Sequence, residues 1–410
     1  ALLLKSRVAL FEGSWEYYHG RDNTPFKVDG KDGSEFLDQA IEAGEALIAR
    51  YGNNIFVGRA GFEYEDMFNK NNYDNITGAF FYKHFDAGLG ITHSWRYYPL
   101  GWGVSPTKEA VSEYLMNDGK PEEISSVSYD YTNQSSLLRA RDPRLAQTIY
   151  PPDRGGYMDL VGGFSIEQFW NVIYPDLNHS YVPNPGGYRV IKGMPYTTIG
   201  LDINEMDDLI MRYAEALLNY AEAKAIKGTI TQGDIDKTIN VLRGRVGMAP
   251  MNLGEVNSWS IAYTEDKGYD PSASNVLNEI RRERRVELMF EGFRGSDIKR
   301  WALMEEVYNG YKPKGAYYQE LFDYWNNEEI LAEAGMSESF IEDRALEEGV
   351  NIGRTGEYIN PFWRDADFTE SGRGFYVDPA RDYLQAIPKE EINLYQEKAG
   401  VELTQNPGWF

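Results

Sequence analysis

Apolar residues recur at helical spacing in several stretches of this chain and lose that spacing between them. Leu4, Val8 and Phe11 predict a first helix that stops at Gly13. A second opens on Ser34, a good N-cap, carries Leu37, Ile41, Leu47 and Ile48, and ends at Gly52, so the two read as a helical hairpin. The strongest pattern covers 205–246. Met206, Leu209, Ile210, Tyr213, Leu217, Ala221 and Lys224 fall on one stripe, with Asn204 as N-cap, Asp207 at N3 and Gly228 as the stop. Thr231 caps the next helix, whose stripe is Ile235, Ile239, Leu242 and Val246, ended by Gly247. Ala214, Ala216, Ala221, Ala223 and Ala225 let partner helices approach closely. A short helix is expected over Thr107–Met116, and a charged one from Asn275 to Trp301.

The rest is irregular. Residues 53–104 and 117–204 are rich in Gly, Asn, Pro and aromatics, with Gly155-Gly156, Gly162-Gly163 and Gly186-Gly187 as breakers. An insert at 248–272 separates the helices. The expected fold is mostly α: tetratricopeptide-like helix pairs with a large irregular, loop-rich remainder. We expect one unit, 1–410, with its helical scaffold mainly at 1–52, 205–247 and 273–307. The ligand-binding part is expected mainly at 53–204 and 308–410.

The charged helix is apolar on two sides, which implies neighbours on both. Val276, Leu277, Ile280 and Leu288 share a face with Arg284, Glu287 and Glu291, while Val286, Met289 and Phe293 lie opposite. Charges on a buried stripe need partners, because an unpaired buried charge costs several kcal/mol. Arg284 should therefore pair with Glu287, with Glu291, or with a carboxylate across the helix stack. The competing reading is a solvated Arg/Glu face.

Composition narrows the function. Among 410 residues, 14% are aromatic, including 30 Tyr and 9 Trp, and the formal net charge is -23. Such a charge repels nucleic acid and anionic membrane surfaces, and favours neutral ligands or cations. With no cysteine there is no disulfide, Cys metal site or Cys nucleophile. No apolar run reaches the roughly 18 residues of a transmembrane helix. The chain opens on Ala1-Leu2-Leu3-Leu4, already mid-helix and without Met, which reads as a start whose upstream residues are missing.

The aromatic excess needs an explanation, and flat aromatic faces with Asn, Asp, Gln or Arg nearby are candidate ligand-binding surfaces. Four clusters qualify. Trp95, Tyr97 and Tyr98 stand near Arg96 and Asn71–Asn75; Trp170, Tyr174 and Tyr181 stand near Asn178; Trp259 stands with Tyr263 and Tyr269; and Trp325 stands with Tyr317, Tyr318 and Tyr324. The ligand-binding residues expected are Trp95, Tyr97, Tyr98, Trp170, Tyr174, Tyr181, Trp259 and Trp325. For any single one of them, loop or core packing is the plainer alternative.

Catalytic chemistry finds no motif. Sixty-four acidic residues make some carboxylate pair inevitable, so a glycosidase pair carries no weight here. His19, His84, His93 and His179 lack metal-ligand spacing, although His84 and His93 could face a ligand from an aromatic loop. There is no Gly-x-Ser-x-Gly and no P-loop. No cofactor and no metal ligand are expected. Asn69–Asp74 offers oxygen atoms of the kind Ca²⁺ takes, without EF-hand spacing, and a polar turn is the simpler reading.

Two longer segments, Met211-Arg-Tyr-Ala-Glu-Ala-Leu-Leu-Asn-Tyr-Ala-Glu-Ala-Lys224 and Ile280-Arg-Arg-Glu-Arg-Arg-Val-Glu-Leu-Met-Phe-Glu-Gly-Phe-Arg294, resemble the signature segments of the SusD/RagB family. These are starch-utilisation-type glycan-binding lipoproteins of the Bacteroidetes outer membrane. Leu4–Trp15, Pro106–Gly119, Arg141–Leu145, Asp297–Trp301, Ile387–Ile392 and Leu403–Trp409 fit in the same order. The resemblance implies a non-catalytic surface protein that captures oligo- or polysaccharide. It would deliver the ligand to a SusC-type TonB-dependent outer-membrane transporter. It also implies a signal peptide and a lipid-modified cysteine as the membrane anchor; this sequence has neither, in keeping with its truncated start. The signature segments are scaffold and carry no site residue over. A different class, a tetratricopeptide-like scaffold that binds peptide or protein for nutrient import, is the alternative.

Overall fold

The computed structural model describes residues 1–93, 104–154, 186–193, 204–325, 327–333, 354–362 and 365–409. Its helices in chain order begin with α1 (Leu2–Arg21), α2 (Ser34–Tyr51), α3 (Lys108–Ser112), α4 (Gln134–Arg139) and α5 (Pro143–Ala146). Next come α6 (Tyr213–Ile226), α7 (Gln232–Asp236), α8 (Ile239–Arg245), α9 (Leu253–Ser258), α10 (Asn275–Glu287) and α11 (Arg294–Arg300). The last are α12 (Met304–Tyr308), α13 (Tyr318–Trp325), α14 (Glu328–Glu333) and α15 (Lys389–Ala399). Two short antiparallel pairs complete the described part: β1 (Ala79–Lys83) with β2 (Asp208–Arg212), and β3 (Arg354–Thr355) with β4 (Tyr358–Ile359). The chain is mostly helical with a loop-rich remainder, as expected. No helix among the described residues is long and apolar enough to cross a membrane.

The main core joins α1, α2, α6, α8, α10 and α11. It includes Leu10, Tyr18, Leu37, Leu217, Leu242, Ile280 and Trp301, all close to fully buried. α6 is buried on every side, Lys224 alone being half-buried, which suits its run of small alanines between neighbours.

Four boundaries differ from the sequence reading. α1 runs through Gly13 to Arg21, because Gly13 is a contact point and not a stop: a Cβ there would lie 2.8 Å from the Leu37 nitrogen of α2. Gly33, with φ +77°, is the cap residue before α2, and Ser34 is its first helical residue. Residues 208–212 form β2, not the start of a helix. The apolar run Leu209, Ile210, Met211 suits either state, and pairing with β1 (Tyr82 opposite Leu209, Lys83 opposite Asp208) decides it. The helix expected over 231–247 divides at Thr238, whose hydroxyl donates to the Asp234 carbonyl at 2.6 Å. Thr231 does cap α7 through a reciprocal capping box with Asp234.

The charged segment is likewise two helices, α10 and α11, joined by a turn in which Phe290 has φ +64° and Gly292 φ +79°. Its charges are buried, not solvated. Arg284 donates to both Asp297 oxygens at 3.0 and 2.9 Å and to Asn219 at 2.8 Å. Of the partners expected, the carboxylate outside α10 is the one it takes. Glu287, fully buried, is met by Arg144, Arg212 and Arg245 at 2.8, 2.6 and 2.7 Å. Such pairs offset desolvation only because the geometry is close and the remaining lone pairs are bonded.

Arg281 is an exception. It is 1% exposed, and none of its guanidinium nitrogens has a hydrogen-bond partner among the described residues. Its charge lies 4.8 Å from the Tyr18 ring centre and 4.2 Å from that of Trp301. A desolvated cation–π contact is worth about 2 kcal/mol, whereas a buried charge left unpaired costs roughly 3–5 kcal/mol.

Candidate functional site

One cavity of about 660 Å³ opens beside α1, β2 and the turn between α10 and α11. Its size falls within the range of small-ligand sites, roughly 300–1,000 Å³. α1 contributes Arg7 and Phe11, the strand Leu209 and Ile210, and the turn Phe290 and Phe293. Phe68, Tyr73, Phe85 and His93 line it from the loop that precedes and follows β1. His93 is fixed by a 2.8 Å hydrogen bond from Nε2 to the Met206 carbonyl and by the edge of Phe85 at 4.4 Å.

Most charged groups of this cavity are held by ion pairs. Arg7 makes a two-pronged contact with Glu215 at 2.6 Å and lies 5.0 Å from the Phe293 ring centre. Lys192 donates to the Tyr64 hydroxyl, the Met289 carbonyl and Glu291, each at 2.6 Å. Burial brings the Lys192 ammonium down to about 8, against the opposing pull of Glu291. Burial alone would raise Glu291, but Arg212 and Lys192 outweigh it and hold the carboxyl below its ordinary value. Asp297 is held low in the same way by Arg284 and Arg300. A general acid needs a raised pKa, so neither carboxylate is poised to protonate a leaving group. Asp207 is occupied by the Phe85 amide at 3.0 Å and by His84 at 2.9 Å. Asp208 stands exposed at the rim. The lining thus offers ring faces and bonded polar groups, and suits a neutral ligand with both C–H faces and hydroxyls.

The expected aromatic clusters fare differently. Trp95, Tyr97 and Tyr98, with Arg96, lie outside the described residues, and so do Trp170, Tyr174, Asn178 and Tyr181; His93, which precedes the first cluster, lines the cavity. Trp259 is half-buried, packs against the main core and does not line the cavity. Its companions are core residues. Tyr263 donates to Glu279 at 3.0 Å, Tyr269 bonds Glu113, and the two rings meet edge-on at 5.3 Å. Trp325 is the last residue of α13, and its side chain lies outside the described residues. Tyr318 is buried in a second core, while Tyr317 meets Tyr131 at 5.9 Å and Tyr358 at 6.4 Å, edge to face. His19 is a core residue stacked 4.0 Å from Trp15. In the Asn69–Asp74 segment, Asn72 accepts from the Asp74 amide as a polar turn does. No three His, Asp or Glu side chains among the described residues gather as a metal site would require.

Sequence reasoning missed Phe290 and Phe293, because the segment read as one helix. Gly292 and Gly295 were the available signal of a break. It also missed Tyr131 and Tyr358, which join Tyr317 only through tertiary folding.

Comparison with known proteins follows the same lines. No curated protein sequence matches this chain. A SusD-like carbohydrate binding protein from Bacteroides fragilis superposes with a TM-score of 0.58 at 20% identity, covering 88% of this chain and 62% of its own. A second SusD-like protein from Bacteroides fragilis gives 0.55 at 18%, covering 100% and 64%. The chain therefore spans less than two thirds of the length of either. At such identities the likeness is one of fold. The sequence profile of the SusD family matches residues 62–409, which is most of the chain, and the protein belongs to the SusD family.

Proposed function

We propose that this protein is a non-catalytic glycan receptor of a bacterial cell surface. It captures neutral oligo- or polysaccharide and passes it to a SusC-type TonB-dependent transporter in the outer membrane, to which a lipid anchor tethers it. The observation that carries this reading is the cavity beside α1 and β2, where phenylalanine, tyrosine and histidine rings alternate with polar groups most of whose charges are already paired. A neutral, many-hydroxyl ligand meets paired charges inside the cavity and one exposed carboxylate, Asp208, at its rim. Family membership supports the same reading, as does the description of one Bacteroides fragilis relative as carbohydrate binding. The aromatic stretches Trp95–Tyr98 and Trp170–Tyr181, and the residues Trp259 and Trp325, are our proposed additional ligand contacts. Affinity electrophoresis through gels containing neutral polysaccharides tests the proposal: retardation in at least one supports it, and free migration in all of a broad panel removes it. A peptide ligand is the second reading, favoured by the preponderance of Phe over Trp in the lining. Binding of peptides without binding of any glycan would establish it instead.

A further inference from the structure

β2 brings one carboxylate to the mouth of the cavity and leaves it without a counter-ion. Side chains alternate along a strand, so Asp208 and Ile210 stand on the same side of β2. Both are exposed, and both line the cavity. Backbone pairing with β1 fixes their position, with Lys83 opposite Asp208 and Tyr82 opposite Leu209.

The cations around Asp208 are engaged elsewhere. Lys83, its neighbour across the strand pair, holds its ammonium 4.7 Å from the Phe85 ring centre. His84 bonds Asp207 at 2.9 Å. Arg7 is divided between Glu215 at 2.6 Å and the Ile210 carbonyl at 3.0 Å. Lys192 is spent on Glu291, Tyr64 and Met289. Among the described residues the Asp208 carboxylate takes part in no ion pair.

Building on the reading of this cavity as a glycan site, we propose that Asp208 is its selectivity residue. The carboxylate accepts hydrogen bonds from adjacent hydroxyls of a neutral sugar and turns away sugars that carry a carboxylate or sulfate. An ionised carboxylate has two oxygens that only accept, so a pair of hydroxyls meets two acceptors and forms charge-assisted bonds. An acidic sugar in the same place sets a second negative charge beside one that already lacks a counter-ion. Like charges brought together in this way suppress the wrong partner. The ring faces deeper in the cavity cannot draw this distinction, because an acidic sugar and its neutral parent present the same C–H faces. Ile210, beside Asp208, gives those C–H groups an apolar surface at the rim.

Asp208→Asn tests the proposal. It keeps the shape of an exposed side chain, and the strand pairing it leaves untouched is made by backbone groups. The probes are glucan, mannan and galactan oligosaccharides, each neutral and each with its primary alcohols oxidised to carboxylates. Isothermal titration should show the protein binding a neutral oligosaccharide at least about tenfold more tightly than its oxidised counterpart. In Asp208→Asn the neutral form should bind a few-fold more weakly, and the preference should shrink to about threefold or less. In about 1 M salt, where the Debye length is about 3 Å, the preference of the protein should approach that of the variant. Equal discrimination by the protein and Asp208→Asn overturns the proposal while leaving the glycan site standing. Binding of neither form of any oligosaccharide removes the receptor reading, and the proposal falls with it.

Discussion

The indole nitrogen of Trp301 donates to Oε1 of Glu222 at 2.7 Å, with both side chains almost wholly buried. This bond ties the signature stretch Met211–Lys224 to the segment Asp297–Trp301, since Glu222 lies on α6 and Trp301 closes α11. Arg284 of the second signature stretch donates to Asn219 of the first at 2.8 Å. Arg300 grips the same carboxylate from the other side at 2.6 and 2.7 Å, and Arg284 approaches it at 3.9 Å. The motif by which the family is read from sequence is therefore the motif that locks its helices together.

Glu222→Gln keeps the shape of that side chain and removes its charge. Arg300 then loses half of its compensation in a dry interior. We expect a loss of about 3–5 kcal/mol in unfolding free energy, the range for breaking a buried ion pair. Urea denaturation at pH 7 measures it, and a loss below about 1 kcal/mol contradicts the account.

Gly13→Ala sets two effects against each other. Alanine gains about 1 kcal/mol in helix propensity. Its Cβ would lie 2.8 Å from the Leu37 nitrogen and 3.1 Å from the Gly33 carbonyl oxygen, both backbone atoms. Overpacking costs typically 1–3 kcal/mol, and rigid backbone places this site at the upper end. A net fall in Tm is the expected result, whereas a rise would show that the hairpin of α1 and α2 is loose.

Most of the scaffold was legible in the sequence, and most of the site was not. Helical stripes, Gly228 as a stop, Thr231 as a cap and the burial of the charged run all follow from local pattern. Gly13 misled because a glycine that permits helix contact looks, in sequence, like one that ends a helix. β2 was misread because Leu209-Ile210-Met211 is apolar in any conformation, and only β1, some 130 residues earlier, fixes it. The cavity is harder still. Phe11, Phe68, Phe85 and Phe293 are ordinary apolar residues until distant segments bring them around one space.

Acid should destabilise the protein from a known side. Burial alone would raise Glu222, Glu287 and Asp297, but surrounding arginines outweigh it and hold all three carboxyls below their ordinary values. The unfolded chain then takes up protons first. Stability from these groups is complete above about pH 5 and is lost as the pH falls through the ordinary carboxyl range of about 4 towards the folded values. Unfolding midpoints measured from pH 7 down to pH 3 should fall steeply below 5. Glu287→Gln should be less stable at pH 7 and flatter in that window.

Lys192 acts with the same sign at the alkaline end. Its ammonium titrates at about 8 in the folded protein and at 10.5 otherwise. Between those values the unfolded chain holds more protons, so this group's contribution to stability rises with pH. The difference in unfolding free energy between the protein and Lys192→Met should move in favour of the protein from pH 8 to 10.5. A difference that stays constant across that range contradicts the burial of the charge.

The central claim is that the cavity beside α1 and β2 receives a neutral glycan. Isothermal titration of the protein and of Phe293→Ala with an oligosaccharide that retards the protein in affinity gels tests it most directly. The account predicts measurable binding by the protein and a loss of tenfold or more in affinity for the variant, at unchanged fold by circular dichroism. Undiminished affinity in folded Phe293→Ala would place the sugar elsewhere and contradict the account.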